Sequence, residues 1–309
     1  MDQPVFDHSK EKFLGIQNKR KIYTGFFPSS RGNEKIYYKR SFPETELPDK
    51  IIHLLILHDA GDYHGRYEFL PEYLYQKMGG ELVVTWMDLK GHGLSSGTRG
   101  HLDDFDEYCE DFKHLMNITP HPDTHVSNII CGNGMGALLA LRYFQEYAHE
   151  VRSELSGLIL SNPLIKLQID IPKWGGFLMK GWQKTFTHVR FPYRFNGYDL
   201  CFDTERAKSY NSDPLVNHQV SMGIIREIFN VSRKIRTASY FLDIPTLFLV
   251  GEKNHLIDHE SVRLFYKGAP RKLSSFHSYK RSGHDLFNDL ERDKVHSDIY
   301  NWVKQYFFK

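Results

Sequence analysis

Short runs of almost uninterrupted Ile, Val and Leu recur along the chain, each followed by a helix-length amphipathic segment. The runs are IIHLLILHD (51–59), ELVVTWMD (81–88), VSNIICG (126–132), LSGLILSN (155–162) and IPTLFLVG (244–251). A strand that is apolar at nearly every position is buried on both faces, which is the condition of a parallel sheet. Parallel neighbours need crossovers, and GRYEFLPEYLYQKM, FDEYCEDFKHLM, GALLALRYFQEYAHEV and HESVRLFYKGA supply them with helical spacing. The pattern predicts an α/β fold with a mostly parallel, doubly wound sheet. An antiparallel hairpin turning at SSRGN opens the chain, and a helix over DKVHSDIYNWVKQYFF closes it.

One stretch breaks this rhythm. Between roughly Pro163 and Leu242 no buried strand is evident, but PKWGGFLMKGWQKTFTHV is too apolar for a solvated surface helix. Its Trp174, Phe177, Leu178 and Trp182 read either as a helix packed on the body or as a cap over a site at the carboxyl ends of the strands, where open α/β sheets bind ligands. Both readings hold together, because a cap must pack on something. The length of 309 residues, with 40% hydrophobic and 14% aromatic content, suits one large α/β domain over 1–309 with this helical insert inside it.

The formal charge of +2 gives no reason to expect nucleic acid as partner. Three cysteines, Cys109, Cys131 and Cys201, make neither a disulfide framework nor a C-x-x-C pair. The histidines are scattered rather than set at metal-ligand spacing, so no metal and no cofactor are expected. MDQPVFDHSK lacks the apolar core of a signal peptide, and no apolar run spans a bilayer, so the expected compartment is the cytoplasm.

The sharpest local signal is IICGNGMGALLAL (129–141), a strand entering a helix across a glycine-rich corner. In G-x-S-x-G form the central residue is a nucleophilic serine held in strained backbone. Here it is Gly134, which relieves the strain and removes the hydroxyl. Taken alone, such a corner could instead cradle a phosphate on helix N–H groups, although the dinucleotide G-x-G-x-x-G spacing is absent.

Further motifs narrow the choice. HDAGDYHGRYEFLPEYL (58–74), DLKGHGLSSGTRGHLDDFDEYCEDF (88–112), YNSDPL (210–215), GEKNHLID (251–258) and SGHDLFNDLERDKVHSDIYNWV (282–303) resemble, in order and spacing, the monoacylglycerol lipase and lysophospholipase-like branch of the α/β-hydrolases. The resemblance runs from about residue 20 to the C-terminus and implies an α/β-hydrolase fold. It places the family's nucleophile on Gly134, its acid on Asn254 and its base on His284, and its oxyanion donors on the backbone N–H groups of Ala60 and Met135. Asp59 stands where the family's H-G-x-G motif has glycine, and a carboxylate there opposes an anion-binding pocket unless it turns away. Asp258 and Cys131 are weaker substitutes for the acid and the nucleophile: Asp258 matches a position outside the triad, and Cys131 lies on the strand before the corner.

Serine hydrolysis needs a hydroxyl, a base and an acid that holds the base in one tautomer. Loss of the nucleophile alone costs about a million-fold in a protease example, and loss of the other members then adds little. The expected function is therefore a lipase-like pseudoenzyme with a capped pocket for a monoacylglycerol, a lysophospholipid or a fatty acid, or one acting through protein contacts. Peripheral membrane contact through the cap is compatible with it. The alternative is an active ester hydrolase in which His284 activates water directly.

Overall fold

In a computed structural model, residues 11–118, 125–147, 154–168, 187–191 and 194–308 are described. Their strands are β1 (Lys12–Gln17), β2 (Arg20–Pro28), β3 (Lys35–Pro43), β4 (Lys50–Leu57), β5 (Leu82–Met87), β6 (His125–Asn133), β7 (Leu155–Ser161), β8 (Thr246–Gly251) and β9 (Ser274–Tyr279). They form one sheet in the order β1-β2-β3-β5-β4-β6-β7-β8-β9. β1, β2, β3 and β5 pair antiparallel, and every pairing from β5 through β4 to β9 is parallel.

The helices are α1 (Phe69–Met78), α2 (Asp106–Ile118), α3 (Met135–Glu146), α4 (Gly197–Leu200), α5 (Thr204–Ser212), α6 (Met222–Ile235), α7 (His259–Gly268) and α8 (Arg292–Phe307). Two hydrophobic layers account for the apolar strands. On one face Leu70 and Leu74 of α1 and Val295, Ile299 and Trp302 of α8 pack against Leu54, Ile56 and Leu247. On the other, Phe112, Leu139, Ile228 and Phe265 of α2, α3, α6 and α7 pack against Leu55, Ile130 and Phe248. The side chains of the central strands therefore meet helices on both faces of the sheet.

Two strands lack that signature. β1 is exposed along nearly its whole length, with Phe13, Leu14 and Ile16 each about half exposed, and β9 is buried only at its ends. Among the described residues, the stretch between β7 and β8 carries α4, α5 and α6 and no strand of the sheet. Trp174, Phe177, Leu178 and Trp182 lie outside the described residues. Among the described residues, no helix is long and apolar enough to cross a membrane.

β4 is the switch point of the sheet, since β5 lies on one side of it and β6 on the other. Chain connections diverge there and leave a crevice at the carboxyl ends of the strands. The register Leu57↔Gly132 sets the ends of β4 and β6 side by side. The residues of interest emerge at this end.

Candidate active site

The corner after β6 keeps the shape of a nucleophile elbow. Gly134 has φ 51° and ψ −110°, a backbone that costs a residue with a side chain about 1–3 kcal/mol. Gly136 is needed for close approach: a Cβ there would overlap the carbonyl oxygens of Leu57 and His58 at the end of β4. This contact binds the first turn of α3 to the loop that carries Asp59.

That loop is fixed by a buried histidine. Leu89 N–H donates to His58 Nε2 at 2.9 Å, so the ring proton sits on Nδ1 and donates to the Asp59 carbonyl at 2.7 Å. Burial holds His58 below the ordinary imidazole range, which keeps this tautomer neutral. With its backbone so pinned, Asp59 turns into the site rather than away from it. Its Oδ1 accepts from Met135 N–H at 2.7 Å, and its Oδ2 lies 2.6 Å from His284 Nε2. The Ala60 N–H acts on the same carboxylate. The N–H groups of Met135 and Ala60 and the His284 ring thus converge on one carboxylate. A Cβ built on Gly134 would overlap the Asp59 carboxylate, so the acid also fills the space of the missing nucleophile.

Burial works against charge on Asp59, but His284 and the N–H groups of Met135 and Ala60 outweigh it and hold the carboxyl below its usual range. Burial likewise lowers His284, and the Asp59 carboxylate overrides it and raises the imidazole above its ordinary value. On the other side of the ring, Asn254 Nδ2 lies 2.9 Å from His284 Nδ1. The amide has a defined orientation, because its Oδ1 accepts from Leu256 N–H at 2.9 Å. Its NH₂ therefore faces Nδ1, and in the neutral ring the His284 proton is on Nε2, facing Asp59. A carboxylate in that position accepts a hydrogen bond from Nδ1–H; Asn254 selects the opposite tautomer.

Asn162, at the end of β7, completes the support and carries no motif of its own. It is fully buried at φ 44°, donates to the carbonyls of Gly283 and His284 at 3.1 and 2.7 Å, and accepts from Gly251 N–H at 3.0 Å. It clips the His284 loop to the end of β8. Cys131 is buried within β6, where burial pushes its thiol above the range of a reactive thiolate. Asp258 caps α7 through Ser261 N–H and pairs with Lys166, so its carboxylate is already engaged.

Beneath Asp59 lies a buried ionic group. Arg66 bridges Asp62 at 3.1 Å and Asp285 at 2.6 Å, and its guanidinium stacks on Tyr210. Tyr67 donates to Asp62 at 3.0 Å and accepts from Asp59 N–H at 3.2 Å, linking this group to the site. Burial lifts Asp62 from the ordinary 3.8 to about 7 against the pull of Arg66. Between those values the folded chain binds a proton that the unfolded chain has released. Stability contributed here is greatest below the ordinary carboxylate pKa and is lost as pH rises through about 7. Asp62→Asn is expected to remove this downward slope from urea melts recorded between acid and neutral pH.

The sequence profile of the family described as serine aminopeptidase, S33 matches residues 48–291, most of the chain and every segment of the site. The chain belongs to that family. Within it, the chain is similar to the monoacylglycerol lipase of Mycolicibacterium smegmatis, at 26% identity over 88% of this chain and 94% of the relative. It is also 26% identical to the monoglyceride lipase of Rattus norvegicus, over 81% of each. In fold it matches the monoacylglycerol lipase of Paleococcus ferrophilus, with a TM-score of 0.75 at 21% identity over 88% of this chain and 99% of the other. A soluble variant of the Saccharomyces cerevisiae monoglyceride lipase, in complex with a substrate analog, matches with a TM-score of 0.71 at 18% identity over 99% and 97% of the two chains. This chain is a monoacylglycerol lipase-like α/β-hydrolase.

Proposed function

We propose that this family member has lost ester cleavage and acts by binding. One observation carries the reading: the Asp59 carboxylate sits between Met135 N–H and His284 Nε2. A substrate carbonyl placed for attack needs those N–H donors for its developing oxyanion. They are engaged by a resident anion, and no side-chain oxygen projects from Gly134 to attack. The alternative, water activated by His284, meets the same obstacle. Asn254 donates to the lone pair on Nδ1, while Nε2 faces Asp59, so no basic nitrogen is presented to water.

The occupant best suited to the site is a neutral acyl lipid such as a monoacylglycerol. The wall beside Asp59 and His284 is apolar, built from Leu164, Leu167, Phe195, Ile225, Ile228 and Leu256. The gap among these residues is only about 20 Å³, so an acyl chain must part them to enter. A free fatty acid is disfavoured, because its carboxylate would meet that of Asp59. Melting scans with monoolein and with oleate test this: the neutral lipid should raise the transition and the anion should not.

Silence itself is tested with a fluorophosphonate probe. No covalent adduct is expected on the native chain, and a stoichiometric adduct at any residue of the site would defeat the proposal.

A further inference from the structure

A second cluster of metal-type ligands stands apart from the triad positions. His101, the last residue of GTRGH, and Asp103 lie in the loop between β5 and α2, and His188 belongs to the segment between β7 and β8. One ligand atom from each lies within 4.8 Å of the other two. His101 is nine-tenths buried, and its Nε2 has no hydrogen-bond partner, although Asp103 Oδ2 lies only 3.3 Å away. The two form an ion pair only when the ring is protonated; with the ring neutral, a buried nitrogen faces the carboxylate without a well-formed hydrogen bond, which needs an explanation.

We propose that His101, Asp103 and His188 bind a divalent first-row transition-metal ion, of the zinc class. Zinc holds nitrogen and oxygen ligands at about 2.0–2.2 Å in a tetrahedron, which sets neighbouring ligand atoms about 3.3–3.5 Å apart. The observed separation of His101 Nε2 and Asp103 Oδ2 already has this value. The far side of the His101 ring is supported as metal-bound histidines are: Nδ1 lies 2.9 Å from Ser221 Oγ, and when Nδ1–H donates to that hydroxyl, Nε2 is free to ligate. The Asp103 carboxylate is steadied by the Thr187 side chain, and Arg226 donates to the Asp103 backbone carbonyl at 2.6 Å.

His188 is held within reach by its backbone. Gly223 N–H donates to Thr187 O at 2.9 Å and Met222 N–H to Val189 O at 2.7 Å, on either side of it. The two imidazole rings stack at 3.9 Å between centroids, so a small tilt of the exposed His188 brings its nitrogen to the ion. Three protein ligands leave a fourth position for water. Bound there, the ion fastens segment 187–191 to the loop after β5. Spacing along the chain gives no hint of this, because His188 is remote in sequence from the other two.

The test uses tag-free, chelator-treated protein titrated with Zn²⁺ by calorimetry and with Co²⁺ by visible absorption. One equivalent of Zn²⁺ should bind, Co²⁺ should give the intense band of a tetrahedral site, and Zn²⁺ should raise the melting temperature. His188→Ala and Asp103→Asn alter exposed side chains, and each should weaken binding by more than about tenfold and abolish the band. His125→Ala, at an exposed histidine on β6, should leave both unchanged. Absence of saturable binding, or binding that His188→Ala and Asp103→Asn leave intact, overturns the proposal.

Discussion

The triple variant Asp59→Gly, Gly134→Ser, Asn254→Asp is expected to hydrolyse short p-nitrophenyl esters at least about a thousandfold faster than the native chain, the scale that one oxyanion donor contributes in a protease. The double variant Gly134→Ser, Asn254→Asp should stay inactive and melt earlier. A serine Cβ at 134 would overlap the Asp59 carboxylate and adopt a strained backbone costing about 1–3 kcal/mol. Restoring the two triad residues without clearing position 59 therefore adds strain and leaves both N–H donors engaged. Initial rates and a fluorophosphonate adduct at the new serine check the result. Equal activity in the double and triple variants would show that Asp59 does not obstruct the site.

Arg66→Met should be the most damaging single change outside the elbow. It leaves Asp62 and Asp285, both at least nine-tenths buried, without their shared cation. Removing one partner from a buried ion group costs about 3–5 kcal/mol. The loss should be larger at neutral than at acid pH, since protonating Asp62 relieves its repulsion with Asp285. Urea midpoints at the two pH values measure it, and a loss that does not change with pH would mean that packing on Tyr210, rather than charge, is what Arg66 supplies.

Much of the site was legible because its signals are local. Gly132, Gly134 and Gly136 mark the elbow by their spacing, and His284 and Asn254 follow apolar or glycine-bounded segments whose order fixes their place. The five apolar runs became five of the parallel strands, since burial on both faces leaves a composition that is easy to see. β1 and β9 escaped notice because one is exposed and the other is polar along its middle. The orientation of Asp59 was an open question in the sequence. It depends on the His58 ring, on Leu89 from another loop and on Met135 at the start of α3, three groups that only the fold brings together. Asn162 was missed for a related reason: a lone Asn after a strand reads as a turn, and its work is done across 121 residues of chain.

The carboxylate at position 59 amounts to an inhibitor supplied on a tether. Because it is part of the chain, its effective concentration at the two N–H donors far exceeds what any dissolved competitor reaches. On the proposed reading, boronates, trifluoroketones and other oxyanion mimics should bind this chain far more weakly than its Asp59→Gly variant.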